Sequence, residues 1–143
     1  MNKAFTLVEL IFVIVIIGVL SAVAIPQFTK LTDNAKISSE LSTASSVQTA
    51  IEACHGEWII SDCTFTCGKD IDSSTFSPEG YPIDLGTNLE RILKLPSFDW
   101  TTSGGTYTGP ASGTKGTTHC KTGKPCIGRS WSYDSTTGEF KLI

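Results

Sequence analysis

Residues 1–28 read MNKAFTLVELIFVIVIIGVLSAVAIPQF, and between residues 5 and 25 the sole charged side chain is Glu9. Those 21 residues form a helix of about 32 Å at 1.5 Å per residue, enough to cross the hydrocarbon core of a bilayer. A carboxylate at the bilayer centre costs roughly 3 kcal/mol or more, and such residues usually mark function. The fold turns on what this segment is and on what Glu9 is for.

Three readings compete. A secretory signal peptide would use Lys3 as its positive start and Ala22-Val23-Ala24 as a small-x-small cleavage site. Its apolar core is normally shorter than this run, and Glu9 interrupts the beginning. A single-span anchor, with Lys3 left on the cytoplasmic side, explains the length. It leaves Glu9 as an uncompensated cost.

The third reading explains both features. Ala4-Phe5-Thr6-Leu7-Val8-Glu9, the apolar run containing Gly18, and then Pro26 closely resemble the N-terminus of type IV pilins and type II secretion pseudopilins. The resemblance implies a leader of residues 1–4, cut by a prepilin peptidase between Ala4 and Phe5, with methylation of the new N-terminus at Phe5. Most family members carry glycine where this chain has Ala4, which is also small. The resemblance gives Glu9 a partner as well. In a filament it would face the free amine of Phe5 on a neighbouring subunit, so that two charges costly alone in apolar surroundings neutralise each other. Removing one member of such a pair is expected to cost several kcal/mol, about 3–5.

Beyond residue 25 the helical pattern continues. Pro26 lacks a backbone donor and is expected to kink or locally interrupt the helix, with Gly18 and Ser21 loosening it earlier. Phe28, Leu31 and Ala35 form one short apolar series. Ile37, Leu41, Ala44, Val47, Ile51 and Cys54 form another, at gaps of three and four. Ser38, Ser39, Ser42, Thr43, Ser45, Ser46 and Thr49 fill the opposite face. Gly56 is the expected stop. One helix from about residue 5 to residue 55 extends on the order of 75 Å; its first half (5–25) is apolar all round and its second (26–56) amphipathic.

Residues 57–143 change texture to Gly, Ser, Thr and short apolar clusters. Thr87-Asn88-Leu89-Glu90 fits a capping box and predicts a short helix carrying Ile92, Leu93 and Leu95 before Pro96. Residues 101–119 are of low complexity and predict an exposed loop with one strand around Tyr107. Ser130-Trp131-Ser132-Tyr133 and Glu139-Phe140-Lys141-Leu142 both alternate, which predicts a hairpin with a five-residue connection, 134–138. Trp131, Tyr133, Phe140 and Leu142 are expected to divide between the core and the opposite face. The fold class is α+β: a long N-terminal helix packed on a small antiparallel sheet, pilin-like in its implied arrangement.

The net charge of −3 gives no strong nucleic-acid signal. Five cysteines in 143 residues point to an oxidising compartment. Cys120 and Cys126 flank a short loop and form the favoured pair, and the family often has a C-terminal disulfide loop at this place. Cys54 reaches either Cys63 or Cys67; the spacing does not choose. A zinc site from Cys54, His55, Cys63, Cys67, His119 and Cys120 lacks paired C-x2-C spacing, and no metal is expected. Asp70, Asp72 and Glu79 resemble a solvated acidic loop more than an ordered set of calcium ligands, and Asp134 alone does not supply the calcium motif found in major pseudopilins. There is no H-E-x-x-H pattern, nucleophile elbow or phosphate loop, so neither enzyme activity nor a cofactor is expected.

The resemblance therefore implies a structural subunit of a type IV pilus-like filament. Its implied partners are its own copies, the prepilin peptidase, an inner-membrane assembly platform and, before assembly, the lipid bilayer. The subunit would begin as a single-pass protein of the bacterial inner membrane with its head in the periplasm, then join a periplasmic or extracellular filament. The alternatives are a major-type pseudopilin of a type II secretion system and, from another class, a membrane-tethered or secreted binding domain.

Overall fold

The computed structural model describes residues 5–61, 66–93, 99–118 and 120–143. The chain forms two compact units, Met1–Asn34 and Ala35–Ile143. Helix α1, Leu7–Ile60, contributes to both. It opens on a capping box: Thr6 Oγ1 accepts from the Glu9 amide at 3.3 Å, and Glu9 Oε2 accepts from the Thr6 amide at 3.0 Å and the Thr6 hydroxyl at 2.8 Å. Two donors that a helix start leaves orphaned are thereby satisfied.

Neither Gly18 nor Pro26 interrupts α1, whose helical backbone runs unbroken through both. A proline inside a helix removes one backbone donor, and that single loss is outweighed by the turns on either side. Ser21, Thr29 and Thr32 turn their hydroxyls back onto the carbonyls of Ile17, Pro26 and Phe28 at 2.7–3.0 Å. Gly56 does not stop the helix either. The turn beyond it is held by tertiary contacts: the Trp58 ring lies against the Gly80 backbone, and the His55 ring stacks on Tyr81 at 4.2 Å. The end comes at Ser61, whose amide and hydroxyl both donate to the Glu57 carbonyl, at 3.0 and 2.5 Å.

In the second unit, a two-stranded antiparallel ribbon of β1 (Thr66–Cys67) and β2 (Ile71–Asp72) follows the helix. Four further strands form an antiparallel sheet in chain order: β3 (Thr101–Ser103), β4 (Thr106–Thr108), β5 (Trp131–Asp134) and β6 (Glu139–Leu142). Residues 101–119 thus supply two strands rather than one. The segment after β4 is not an exposed loop, since Gly109, Ala111, Ser112 and Thr117 are buried. His119 lies outside the described residues.

The terminal hairpin forms with a four-residue connection, 135–138, because Asp134 pairs with Glu139. Trp131 pairs with Leu142, and Tyr133 with Phe140. Partners opposite each other share a face, as do residues two apart. All four side chains therefore lie on the core side rather than dividing between faces. Phe140 stacks on Trp131 at 5.4 Å and meets Trp100 and Tyr107 at 6.1 and 5.6 Å. Against these rings α1 packs Ala44, Val47, Ile51 and Cys54, with Ile71, Leu85, Leu89 and Ile92 completing the core.

The expected helix after Thr87 is absent; 87–93 is a series of turns. Glu90 does accept from the amides of Thr87 and Asn88, at 3.3 and 2.6 Å. Leu89 between them takes a left-handed φ of 59° while fully buried, and that conformation cannot continue a right-handed helix. Burial of one leucine overrides the local capping signal. Leu95 and Pro96 lie outside the described residues.

Candidate assembly site

Among the described residues, the apolar segment of α1 has no packing partner within its own unit. Phe5, Leu7, Val8, Leu10, Phe12, Ile14, Val19, Leu20, Val23 and Ile25 are all exposed. So large an apolar surface marks contact with lipid or with other protein. Glu9 lies in the first turn, where its carboxylate accepts from the Thr6 amide and hydroxyl. Phe5, the other residue expected at this site, is one turn from Glu9 and 76 % exposed. Ala4, on the far side of the expected cut, lies outside the described residues. Phe28, Leu31 and Ala35, read as an apolar series, are exposed as well.

Comparison with known proteins gives this geometry a context. Residues 1–25 match the family model described as the prokaryotic N-terminal methylation motif. The type IV major fimbrial protein of Dichelobacter nodosus is 30% identical over 136 residues, covering 76% of this chain and 87% of that protein. The chain belongs to the type IV pilin family. A fimbrial protein of Pseudomonas aeruginosa is 41% identical over 92 residues, 64% of this pilin and 53% of that protein. The type IV narrow pilus major component of Thermus thermophilus is 52% identical over 48 residues, 34% of this chain and 41% of that one. No solved structure matches.

The pilin's folded unit contains a site that the sequence reading missed. Glu40 is completely buried. Its Oε2 accepts from the amides of Ala111 and Ser112 at 2.7 and 3.0 Å, and its Oε1 accepts from the Ser112 hydroxyl and, at 2.7 Å, from Trp131 Nε1. A buried carboxylate with four donors is satisfied rather than stranded. It fastens α1 to β5 and to the segment after β4. The signal was present in the spacing: Ile37, Glu40, Ala44, Val47, Ile51 and Cys54, the buried positions of α1, recur at three and four. The half-buried Leu41 is the apolar neighbour that hid it.

The structure bonds Cys54 to Cys67, with Cα atoms 5.5 Å apart, and Cys120 to Cys126, at 5.3 Å. Cys63 lies outside the described residues. Sulfurs held in disulfides are not thiolate ligands, and His55 is engaged elsewhere, its Nδ1 2.9 Å from the Gly80 carbonyl. Among the described residues no cluster of three metal-ligating side chains occurs. Asp72 instead caps a single 3-10 turn, Ser73–Thr75, accepting from the Ser74 hydroxyl and amide at 2.6 and 2.9 Å. Those two bonds, the hydroxyl's first, hold its carboxyl below the ordinary aspartate range. Asp134 is lowered in the same way by the hydroxyl and amide of Thr136.

Proposed function

We propose that this chain is a structural subunit of a type IV pilus, cleaved by prepilin peptidase between Ala4 and Phe5, methylated at Phe5, and assembled through residues 5–25. The carrying observation is the apolar segment, its large side chains all exposed, with one carboxylate in its first turn. Residues 1–4 act as leader, 5–25 as membrane and then assembly segment, 26–56 as the half that carries the head, and 57–143 as the bulk of the head. Filament growth exchanges lipid around residues 5–25 for the same segment of neighbouring subunits, so their apolar surface never meets water. Glu9 faces the Phe5 amine of a neighbour and reports correct register. The matching relatives are named as fimbrial or pilus proteins, which supports a pilus over a secretion pseudopilus.

Glu9 also has the local role of capping α1, and one substitution separates the two. Glutamine at the third helical position still completes a capping box but carries no charge. Glu9→Gln is therefore expected to insert normally in the membrane and to lose filament assembly as fully as Glu9→Ala. Wild-type filament yield from Glu9→Gln would remove the charge pairing. The intact mass of the membrane-derived protein checks processing: a chain beginning at Phe5 with one added methyl is expected. A mass retaining Met1 in peptidase-competent cells, or a start at Ile25, refutes it in favour of a tethered or secreted domain.

A further inference from the structure

The surface of the unit Ala35–Ile143 carries a concentrated positive patch. Between residues 100 and 133 the chain has Lys115, Lys121, Lys124 and Arg129 and neither Asp nor Glu. Backbone bonds and a disulfide gather the three lysines. Lys115 stands two residues before Thr117, whose carbonyl accepts from the Ile127 amide at 3.0 Å. The Cys120–Cys126 disulfide, with its Cα atoms 5.3 Å apart, folds Lys121 and Lys124 back onto that junction, and the Lys124 amide donates to the Lys121 carbonyl at 3.1 Å. Lys36 of α1 completes the patch, its Nζ donating to the Lys115 carbonyl at 2.6 Å. The three loop lysines are exposed, and none forms an ion pair among the described residues. Glu40, one turn after Lys36, is buried and held by four donors, so it offers no counter-charge at the surface.

Two features decide which anion such a patch meets. The first is the tether. Lys36 follows Ile25 by 11 positions, about 16 Å of helix. The chain itself therefore keeps the patch near whatever bilayer holds residues 5–25, at a high effective concentration of lipid head-groups. On the tether, Lys30 and Asp33 offset each other in formal charge. The second feature is an apolar side chain: Ile127, three residues after Lys124, is exposed. Basic residues around an apolar one suit the surface of an anionic bilayer, where charge meets phosphate and hydrocarbon meets the acyl boundary. A nucleic-acid strand would use exposed rings for stacking, and Tyr107 and Trp131, on either side of the loop, are buried. The net charge of −3 gives no long-range pull on a polyanion.

We propose that Lys36, Lys115, Lys121 and Lys124, with Ile127, form a docking surface for anionic phospholipid, on which the head rests while residues 5–25 are in the bilayer. This rests on the reading of residues 5–25 as a membrane segment before assembly, and adds to it a second, polar contact with the same membrane. The lysine ammonium groups donate to head-group phosphate oxygens. Each basic residue near an anionic surface strengthens attachment by about fivefold, and salt screens the effect. The contact restricts rotation of the head about its tether, so that one side faces lipid and the rest is open to other copies.

The full chain in lipid nanodiscs tests the contact, read as the rate of acetylation of each lysine by mass spectrometry. In phosphatidylglycerol discs Lys115, Lys121 and Lys124 are expected to react more slowly than in phosphatidylcholine discs, by about threefold or more. Lys69, exposed on the β1–β2 turn, is the reference and should not change. Salt at about 0.5 M, with a Debye length of roughly 4 Å, should erase the difference. Lys121→Glu with Lys124→Glu should return Lys115 to its phosphatidylcholine rate, and Lys121→Arg with Lys124→Arg should keep it slow. Equal rates in the two lipids overturn the docking surface. Equal slowing in phosphatidylcholine discs by inorganic phosphate or by duplex DNA shows a site for free anions and overturns it too. Both failures leave the filament reading standing, whereas a chain that inserts residues 5–25 in neither disc removes both readings.

Discussion

Glu40→Ala removes the acceptor of four donors in a site closed to water: the amides of Ala111 and Ser112, the Ser112 hydroxyl and the Trp131 indole N–H. The hydroxyl can rotate toward another acceptor, but the three N–H groups cannot. A buried donor left unmade costs about 1–3 kcal/mol, and relaxation around the smaller side chain recovers part of the sum. The expected loss is roughly 4 kcal/mol or more, a large share of the 5–15 kcal/mol by which domains are usually stable. Glu40→Gln keeps the volume but turns one acceptor into a donor. Its better orientation places the carboxamide oxygen on the Ala111 and Ser112 amides and its NH2 toward Ser112 Oγ, which can turn to accept. The indole N–H of Trp131 is then the orphan, and the expected cost is about 2–3 kcal/mol. The assay is urea unfolding of the full chain in detergent, followed by tryptophan fluorescence. With a slope of about 1–3 kcal/mol per molar urea, Glu40→Gln shifts the midpoint by roughly 1 M or more and Glu40→Ala by more again. A loss under about 1 kcal/mol for Glu40→Ala, or a Trp131 indole N–H resonance unmoved in Glu40→Gln, refutes the reasoning.

Opening the Cys54–Cys67 bridge, which spans 13 residues, by Cys67→Ser should cost about 3 kcal/mol in the chain-entropy model, and opening Cys120–Cys126 by Cys126→Ser about 2; urea midpoints of both variants check the order. Gly138 has φ +71°, and a Cβ there would sit 2.2 Å from the Tyr81 ring, so Gly138→Ala should destabilise by about 1–3 kcal/mol, read as a lowered thermal midpoint. Asp72 and Asp134 have lowered folded-state pKa values. Their contribution is therefore complete above the ordinary aspartate value of about 3.9 and lost as pH falls through the lowered values. Asp72→Ala with Asp134→Ala should flatten the decline in stability below about pH 4, and an unchanged acid limb would refute the assignment.

The long helix and the terminal hairpin were legible in the sequence because both are local periodicities. Apolar residues at three and four, or alternating across a turn, show which face is buried before any partner is known. The lone carboxylate in the 5–25 run was legible for a similar reason: its surroundings are set by its immediate neighbours. What the chain alone could not decide were features whose cause lies far along it. Glu40 is an ordinary polar residue until Ala111, Ser112 and Trp131 arrive, the last from 91 positions away. Gly56 reads as a stop until Gly80 and Tyr81 cover the turn beyond it, and Leu89 reads as helical until the core claims its side chain. Cys67 was chosen because the return of β1 and β2 brings its Cα within 5.5 Å of Cys54, a condition of geometry. The sequence determined by itself the long helix, the terminal hairpin and the apolar segment whose surface must meet lipid or other protein. The tertiary structure decided which polar groups could be buried, because burial is tolerated only where partners converge from elsewhere in the fold.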